Sequence, residues 1–257
     1  SSTTRSSSAL AVVVSGVSVA LPSSVVHMDA LCTMSLCGHD LLCVIPSLRW
    51  DVDQAALDLQ GAAPEVASRV RHGGFLLNAE LFQNGFFSIA AAEALAMDPQ
   101  QRQLLEGGYG ALHAASMVKG SLLGSVVAVN VGQWQSEFGS VLDSTPAGRS
   151  VYASTGSTCS VTCGRVSFVL GVQGPCASYD TACSASLVSS HGSLRALQCV
   201  ECVSALSAGV NMLFEPVAML GTAIAGFTSV RGRSHTFDAR ADGYARAEAI
   251  NAIVSQR

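Results

Sequence analysis

The sequence predicts an α/β fold in which buried strands alternate with helices. Residues 124–131 are almost continuously apolar, which is typical of a strand in a sheet that is covered on both faces. A further strand is predicted over residues 204–210. Asp98-Pro99 predicts a helix start, with aspartate as the N-cap and proline at the first helical position, and this helix is expected to continue to about His113. Strands that alternate with helices indicate a layered α/β domain.

The other predicted elements continue this alternation. We expect a first strand over residues 10–15, a helix around 27–37 and an irregular segment from Trp50 to Asn84. The later elements are a helix over residues 157–170, a strand over Cys176–Tyr179, a helix of small residues after Cys183, and a last strand within residues 244–254. A polar turn therefore joins the short strand to the helix that follows it.

Composition indicates a compact domain with little free surface. The 257 residues are 49% hydrophobic and 12% charged, against a usual charged fraction of ~25%. We therefore expect another domain, a second subunit or a missing part of the same chain to cover much of the surface. The net charge of -4 is not the positive charge that is typical of proteins that bind nucleic acid. The longest apolar stretch, residues 9–21, is too short for a membrane span, which needs about 20 residues.

The N-terminus and the cysteines indicate where the chain resides. Residues 1–9 are rich in serine and are interpreted as a flexible tail or linker before a domain over residues 10–257, rather than as the end of an organelle transit sequence. Nine cysteines form no regular framework, which favours an intracellular, reducing compartment, either cytoplasmic or plastid. Cys199-x-x-Cys202 and Cys159-x-x-x-Cys163 lack the further ligands that structural zinc requires, so no metal site is predicted.

The turn after the short strand contains the candidate catalytic residue, Cys183. Its thiol follows Asp180, Thr181 and Ala182 and precedes a helix, so unpaired backbone N–H groups and the helix dipole favour the thiolate there. Asp180, Thr181 and Ala182 are expected to shape the turn that presents the sulfur. The alternative is that Cys183 is only a small buried hydrophobic residue.

The residues Asp180-Thr181-Ala182-Cys183-Ser184-Ala185-Ser186-Leu187 resemble the active-site motif of β-ketoacyl synthases. These are the ketosynthase domains of type I polyketide synthases and animal-type fatty acid synthases, within the thiolase superfamily. Further blocks occur in the order and spacing of this family. They are Arg49-Trp50-Asp51-Val52-Asp53, Arg71-His72-Gly73-Gly74-Phe75-Leu76, Phe86-Phe87, Ala96-Met97-Asp98-Pro99-Gln100-Gln101-Arg102, Ala208-Gly209-Val210-Asn211, Gly232-Arg233 and Thr236-Phe237-Asp238-Ala239-Arg240-Ala241-Asp242-Gly243-Tyr244.

The resemblance implies the N-terminal half of a thiolase-like fold. This half has the element order βαβαβαββ, a layered mixed sheet and helices on both faces. The C-terminal half of such enzymes supplies two histidines in His-Thr-Gly-Thr and Asn-x-Gly-His motifs, and neither motif occurs in the 257 residues. The chain is therefore expected to be inactive alone, and none of its six histidines is assigned a catalytic role.

The function that the resemblance implies is a decarboxylative Claisen condensation. Cys183 would accept an acyl group as a thioester, with its own backbone N–H as an oxyanion donor, and a malonyl-type extender on an acyl carrier protein would then be joined to it. Phosphopantetheine belongs to the carrier protein, and no cofactor is expected on this chain. A homodimer formed through Cys176–Tyr179 and contacts with other domains of a megasynthase are also implied. The alternative function is a non-catalytic, ketosynthase-like structural or interaction subunit, and polyketide and fatty acid products both remain open.

Two departures from the family pattern indicate a divergent member. Ala247 and Ala249 stand where the family has glycines, and a glycine that serves as a backbone hinge tolerates alanine poorly. Thr222-Ala223 stands where relatives have Phe-Ser, which removes the aromatic side chain that gates the acyl pocket in those relatives. Neither departure affects Cys183.

Overall fold

A five-stranded mixed sheet forms the centre of the computed structural model, which describes residues 11–23, 25–57, 64–134 and 136–257. The strands are β1 (Val13–Ala20), β2 (Cys43–Val44), β3 (His72–Gly73), β4 (Val127–Gln133), β5 (Cys176–Tyr179), β6 (Ser204–Asn211) and β7 (Ala249–Gln256). Strands β2 and β3 form a separate small ladder, and the main sheet has the order β1-β7-β6-β4-β5. Strand β4 runs parallel to β5 and β6, whereas β7 runs antiparallel to β6 and β1.

Helices cover both faces of this sheet. They are α1 (Met28–Leu36), α2 (Val52–Leu57), α3 (Pro64–Arg69), α4 (Ala91–Ala96), α5 (Pro99–Ala114), α6 (Lys119–Leu122), α7 (Phe138–Asp143), α8 (Ala153–Ser157), α9 (Cys159–Leu170), α10 (Ala185–Gln198) and α11 (Pro216–Ile224), with 3-10 helices at Pro146–Arg149 and Ala182–Ser184. Helices α5 and α9 pack against one face, and α10 packs against the other. The α/β prediction, with a mixed sheet between helical layers, is confirmed.

The alternation of side chains along the parallel strands separates two cores of different character. Val127, Val129 and Leu206 belong to the large core beneath α5 and α9, whereas the intervening Ala128 and Ala205 pack against the far half of α10. Side chains of a strand point alternately to the two faces. The α10 face of the sheet therefore carries smaller residues, which bring the helix close to the strands.

Several predicted boundaries are confirmed and others are wrong. The Asp98 side chain accepts a hydrogen bond from the Gln100 N–H at 2.7 Å, with Pro99 at the first helical position, as predicted. Strand β5 has the predicted bounds. The first strand, predicted over residues 10–15, begins later, at Val13, and continues to Ala20. The predicted last strand began too early, because residues 244–248 precede β7. The segment expected to be irregular contains α2, α3 and β3. The predicted tail over residues 1–9 lies outside the described residues.

A buried carboxylate joins the start of β7 to three other parts of the chain. Glu248 has no exposed side-chain surface and accepts hydrogen bonds from the Arg49 guanidinium at 2.9 Å and from the Leu76 and Leu213 N–H groups at 2.9 and 3.0 Å. Burial raises the pKa of Glu248, and the Arg49 charge opposes that shift. Charged and polar groups are costly to bury without such partners. Glu248 is therefore a structural residue of this corner.

We predict that Glu248→Ala destabilises the fold by about 3 kcal/mol, because it leaves a partly buried arginine and two N–H groups without their acceptor. Asp53→Ala is the control, since the Asp53 side chain in the Arg71–Asp53 ion pair is 79% exposed and exposed pairs contribute about 1 kcal/mol or less. Urea unfolding of the full-length protein measures both losses. Equal losses would contradict a structural role of the buried pair.

Candidate active site

The turn between β5 and α10 holds Cys183 through a strained residue. Ala182 has a φ of +52°, a left-handed conformation that is costly for a residue other than glycine. The Ala182 N–H donates to the Asp180 side chain at 3.2 Å, and the Ser184 hydroxyl donates to the Thr181 carbonyl oxygen at 2.8 Å. These bonds stabilise the turn, and the turn-shaping role of Asp180, Thr181 and Ala182 stays a prediction.

Cys183 is exposed and lies in the wall of a cleft of about 680 Å³. This cleft is referred to simply as the cleft from here on. The expectation of a simple buried hydrophobic cysteine is therefore wrong. The carboxyl ends of the parallel strands β4 and β6 open into this cleft at Gly132 and Val210. Parallel α/β sheets commonly bind ligands at that edge. Leu21 and Phe227 add apolar surface, so the cleft is suited to a hydrocarbon chain.

Two glycines set how closely α10 approaches the sheet. A Cβ atom on Gly132 would overlap the peptide group between Ala185 and Ser186, and one on Gly209 would overlap the Ser186 hydroxyl. The Ser189 hydroxyl lies 2.8 Å from the Ser186 carbonyl oxygen and 3.2 Å from the Ala208 carbonyl oxygen, so the next turn of the helix also lies close to β6. The first turn of α10, and Cys183 before it, is thereby held against the ends of β4 and β6.

A buried polar network ties α10 to two strands. Asn130 of β4 is buried, its amide nitrogen donates to the Ser193 hydroxyl at 2.9 Å, and its amide oxygen accepts from the Tyr179 hydroxyl at 3.2 Å. The three residues belong to β4, α10 and β5. Buried polar groups of this kind require their partners, so the network fixes the position of the helix relative to the strand that precedes the turn. No sequence motif indicated it.

Arg246 is the charged residue of the cleft lining, and sequence reasoning missed it. It is only 8% exposed, and its guanidinium lies 4.8 Å from the centroid of the Trp134 ring, which also lines the cleft. Burial lowers the pKa of Arg246, and the charge of Glu137 opposes this shift. Its Nε atom is buried and has no hydrogen-bond partner among the described residues. A cation–π contact of this type stabilises a partly desolvated arginine.

The residues that depart from the family pattern also lie along the cleft. Ala247 and Ala249 both line it, and neither is among the residues with positive φ. Neither position therefore has the left-handed backbone that alanine tolerates poorly, and a role as a hinge stays a prediction. Gly74 lies opposite Ala247 and leaves space for its methyl group, because a Cβ on Gly74 would lie 3.0 Å from the Ala247 Cβ. Thr222 of α11 also lines the cleft.

Other candidate groups lie elsewhere. No histidine of the described residues lines the cleft, and His191 is exposed on α10. Within the ranges that the structure describes, no three His, Cys, Asp or Glu side chains converge as a metal site would require. The helices of those ranges are each too short or too polar to cross a membrane.

Residues 9–257 match the family described as beta-ketoacyl synthase, N-terminal domain. The chain belongs to this family, and the resemblance seen in its motifs is confirmed. Its relatives include modular polyketide synthases. It is 37% identical over 249 residues to the phenolphthiocerol synthesis polyketide synthase type I Pks15/1 of Mycobacterium bovis, covering 96% of this chain and 12% of that protein. It is 36% identical over 249 residues to the pikromycin polyketide synthase component PikAII of Streptomyces venezuelae, covering 96% of this chain and 7% of that protein.

Solved structures show the same relationship. The ketosynthase from module 6 of the bacillaene synthase of Bacillus subtilis superposes with a TM-score of 0.85 at 28% identity, covering 96% of this chain and 40% of that one. An oxazolomycin ketosynthase domain of Streptomyces albus gives a TM-score of 0.84 at 28% identity, covering 96% of this chain and 43% of that one. The chain thus has the fold of the N-terminal part of a ketosynthase and spans less than half of each of these two structures.

We predict that Gly132→Ala destabilises the protein by about 1–3 kcal/mol, because the added methyl group forces the start of α10 away from β4. The displacement should also change the rate at which iodoacetamide alkylates Cys183. Gly164→Ala is the matched control: this exposed position on α9 has open space around it, and alanine should stabilise the helix by up to about 1 kcal/mol. Unchanged stability and alkylation in Gly132→Ala would show that the close approach is not required.

Proposed function

We propose that this chain is the acyl-accepting part of a ketosynthase in a polyketide synthase, with Cys183 as the nucleophile. The observation that carries the proposal is the exposed Cys183 thiol, presented into an apolar cleft by a strained turn at the carboxyl ends of β4 and β6. Strained backbone at a ligand cleft is typical of functional sites. Membership of the ketosynthase family supports the same role.

The proposed reaction begins with an acyl thioester on the phosphopantetheine arm of an acyl carrier protein. The Cys183 sulfur attacks the thioester carbonyl, a new carbon–sulfur bond forms, and the carrier thiol leaves after taking a proton. The Cys183 N–H donates to the oxyanion of the tetrahedral intermediate. The apolar part of the cleft, including Leu21 and Phe227, holds the acyl chain.

Condensation then requires groups beyond these residues. A malonyl-type extender loses carbon dioxide, and the resulting carbanion attacks the carbonyl carbon of the acyl-cysteine. The new carbon–carbon bond forms, the carbon–sulfur bond to Cys183 breaks, and the Cys183 thiolate is released. We propose that histidines in His-Thr-Gly-Thr and Asn-x-Gly-His motifs stabilise this enolate, and neither motif occurs in the 257 residues. These residues by themselves are proposed to stop at the acyl-enzyme or before it.

The position of β5 in the sheet supports the proposal that the protein forms a homodimer. This strand lies at one edge of the main sheet, and edge strands present backbone groups that can pair with another chain. A homodimer formed through Cys176–Tyr179 would use this edge. The acyl carrier protein and the other domains of a megasynthase are the further proposed partners, and the nine free thiols support a reducing compartment.

The second candidate function is a non-catalytic interaction subunit. Exposed apolar side chains favour it, among them Leu187 on the first turn of α10 and Phe168 on α9, which are 75% and 87% exposed. Such side chains mark surfaces that pack against other protein. Acylation of Cys183 distinguishes the two functions, because an interaction subunit has no need for a reactive thiol.

We predict that an acyl thioester of N-acetylcysteamine transfers its acyl group to Cys183 in the full-length protein. Peptide mapping by mass spectrometry should find the acyl mass on the peptide that contains Cys183, and Cys183→Ala should abolish it. Cys199→Ser is the matched control, since Cys199 is an exposed cysteine at the opposite end of the same helix. Acylation spread equally over the exposed cysteines, or none at Cys183, would favour the interaction subunit.

A second prediction concerns Thr222, which leaves the cleft wider than an aromatic side chain would. Thr222→Phe should lower kcat/KM for acylation by a long-chain thioester about tenfold more than for a short one, because pocket contacts discriminate chain length on that scale. Thr222→Val keeps the volume of the side chain and serves as the control, with both substrates expected to react almost as in the natural protein. Equal loss for the two chain lengths would place Thr222 outside the acyl path.

A further inference from the structure

Arg246 is a buried cation whose hydrogen-bond donors are unused. The residue is 8% exposed, and a guanidinium carries five N–H donors and no acceptor. Its Nε atom is buried without an acceptor, and neither terminal nitrogen donates a hydrogen bond to any of the described residues. Buried polar groups are rarely left without partners. The acyl transfer proposed for Cys183 makes no use of this side chain, so its donors call for another acceptor.

Two neighbours of Arg246 balance its charge without occupying its donors. The guanidinium carbon lies 4.8 Å from the centroid of the Trp134 ring, and the ring attracts a cation but offers no oxygen to the N–H groups. The Glu137 charge opposes the lowering of the Arg246 pKa by burial. The Glu137 carboxylate itself accepts hydrogen bonds from the Phe214 and Glu215 N–H groups at 2.9 and 3.1 Å. The charge of Arg246 is therefore compensated, whereas its N–H groups are not.

The backbone around Arg246 is fixed at the cleft. The Arg246 carbonyl oxygen accepts a hydrogen bond from the Gly74 N–H at 3.0 Å. The Ala247 carbonyl oxygen accepts one from the Asn211 side chain at 3.0 Å. Arg246, Ala247 and Asn211 line the same cleft as Cys183. Arg246 is thus a preorganised part of the wall beside which an acyl chain on Cys183 would lie.

Saturated and oxygenated acyl chains interact differently with this wall. A saturated chain that fills the cleft removes water from the guanidinium and gives no acceptor in return, and a buried donor without an acceptor is costly. A hydroxyl or carbonyl oxygen on the chain accepts a hydrogen bond instead. A carboxylate fits less well, because together with Glu137 it would place two negative charges against the single positive charge of Arg246. The wall therefore favours a neutral oxygen.

We propose that Arg246 makes the cleft selective for acyl chains that carry a hydroxyl or carbonyl oxygen over saturated chains of the same length. This inference rests on the function proposed for Cys183 and specifies its substrate class. The chain oxygen accepts a hydrogen bond from the Arg246 guanidinium, which the Trp134 ring supports from the side. No bond forms or breaks at Arg246, so it determines specificity and takes no part in the chemistry.

Calorimetric binding of unreactive amides to the full-length protein tests this selectivity without acyl transfer. The ligands are the octanoyl amide of N-acetylethylenediamine, its relatives with one hydroxyl group on the third, fifth or seventh carbon, and a relative that ends in a carboxylate. We expect at least one hydroxylated amide to bind about tenfold more tightly than the octanoyl amide, because a hydrogen bond to a charged donor contributes on that scale.

Three results would overturn the proposal: equal affinity of all the amides, binding of none, or tightest binding of the carboxylate. Failure of the proposed function gives a different result. Selective binding of a hydroxylated amide, together with a Cys183 that accepts no acyl group from thioesters, would overturn the acyl transfer and leave the selectivity of the cleft in place.

Variants assign the selectivity to Arg246. Arg246→Met removes the donors and keeps a long side chain, so the hydroxylated and octanoyl amides should bind equally well. Arg195→Met is the matched control, because it removes the same charge from an exposed arginine in the last turn of α10 and should leave the preference unchanged. A merely structural role of Arg246 would weaken the binding of all the amides alike, and a preference retained in Arg246→Met would overturn the assignment. The comparison of ligands in the natural protein does not depend on a variant that folds.

Discussion

The close approach of α10 to strands β4 and β6 is the constraint on which the site depends. The first turn of this helix lies where Cβ atoms on Gly132 and Gly209 would overlap it. The same approach brings the residue before the helix, Cys183, to the carboxyl ends of two parallel strands, where the cleft opens. Because the sheet and the helix leave no room between them, the change of direction falls on the connecting turn. Ala182 adopts its positive φ at that point.

Buried polar groups maintain this geometry from two sides. Asn130 joins β4 to β5 and α10 through Tyr179 and Ser193, and Glu248 joins the start of β7 to Arg49 and to the loop after β6. Apolar contacts alone would allow the helix to slide, because they have no preferred direction. Hydrogen bonds between buried groups have specific geometry and are costly to break. The position of Cys183 is thus set by hydrogen bonds between buried groups, whereas the apolar core accounts for most of the buried surface.

The sequence predicted those features that depend on local chemistry. The aspartate–proline start of α5 follows from capping, and β5 follows from the turn residues on both sides of a short apolar run. The early start predicted for the last strand was wrong, because residues 244–247 line the cleft and Glu248 serves as an acceptor for three donors. Helix α11 was not predicted, although Pro216 at its first position is a helix-start signal, and its N-cap residue Glu215 forms no side-chain cap hydrogen bond. Arg246 and Trp134 were missed because their contact joins residues distant in sequence.

The cysteines show most directly why spacing alone does not determine function. Cys159 and Cys163 are four residues apart on one helix and suggested at most a metal site, yet the Cys163 N–H donates to the Ser178 hydroxyl, on a strand that begins thirteen residues later. That partner is determined by the packing of α9 on β5 and by the alternation of side chains along the strand. The same strand then leads directly to the turn at Cys183 on the other side of the sheet. One short strand therefore separates two thiol environments: the buried Cys163 of α9 and the exposed Cys183 thiol at the cleft.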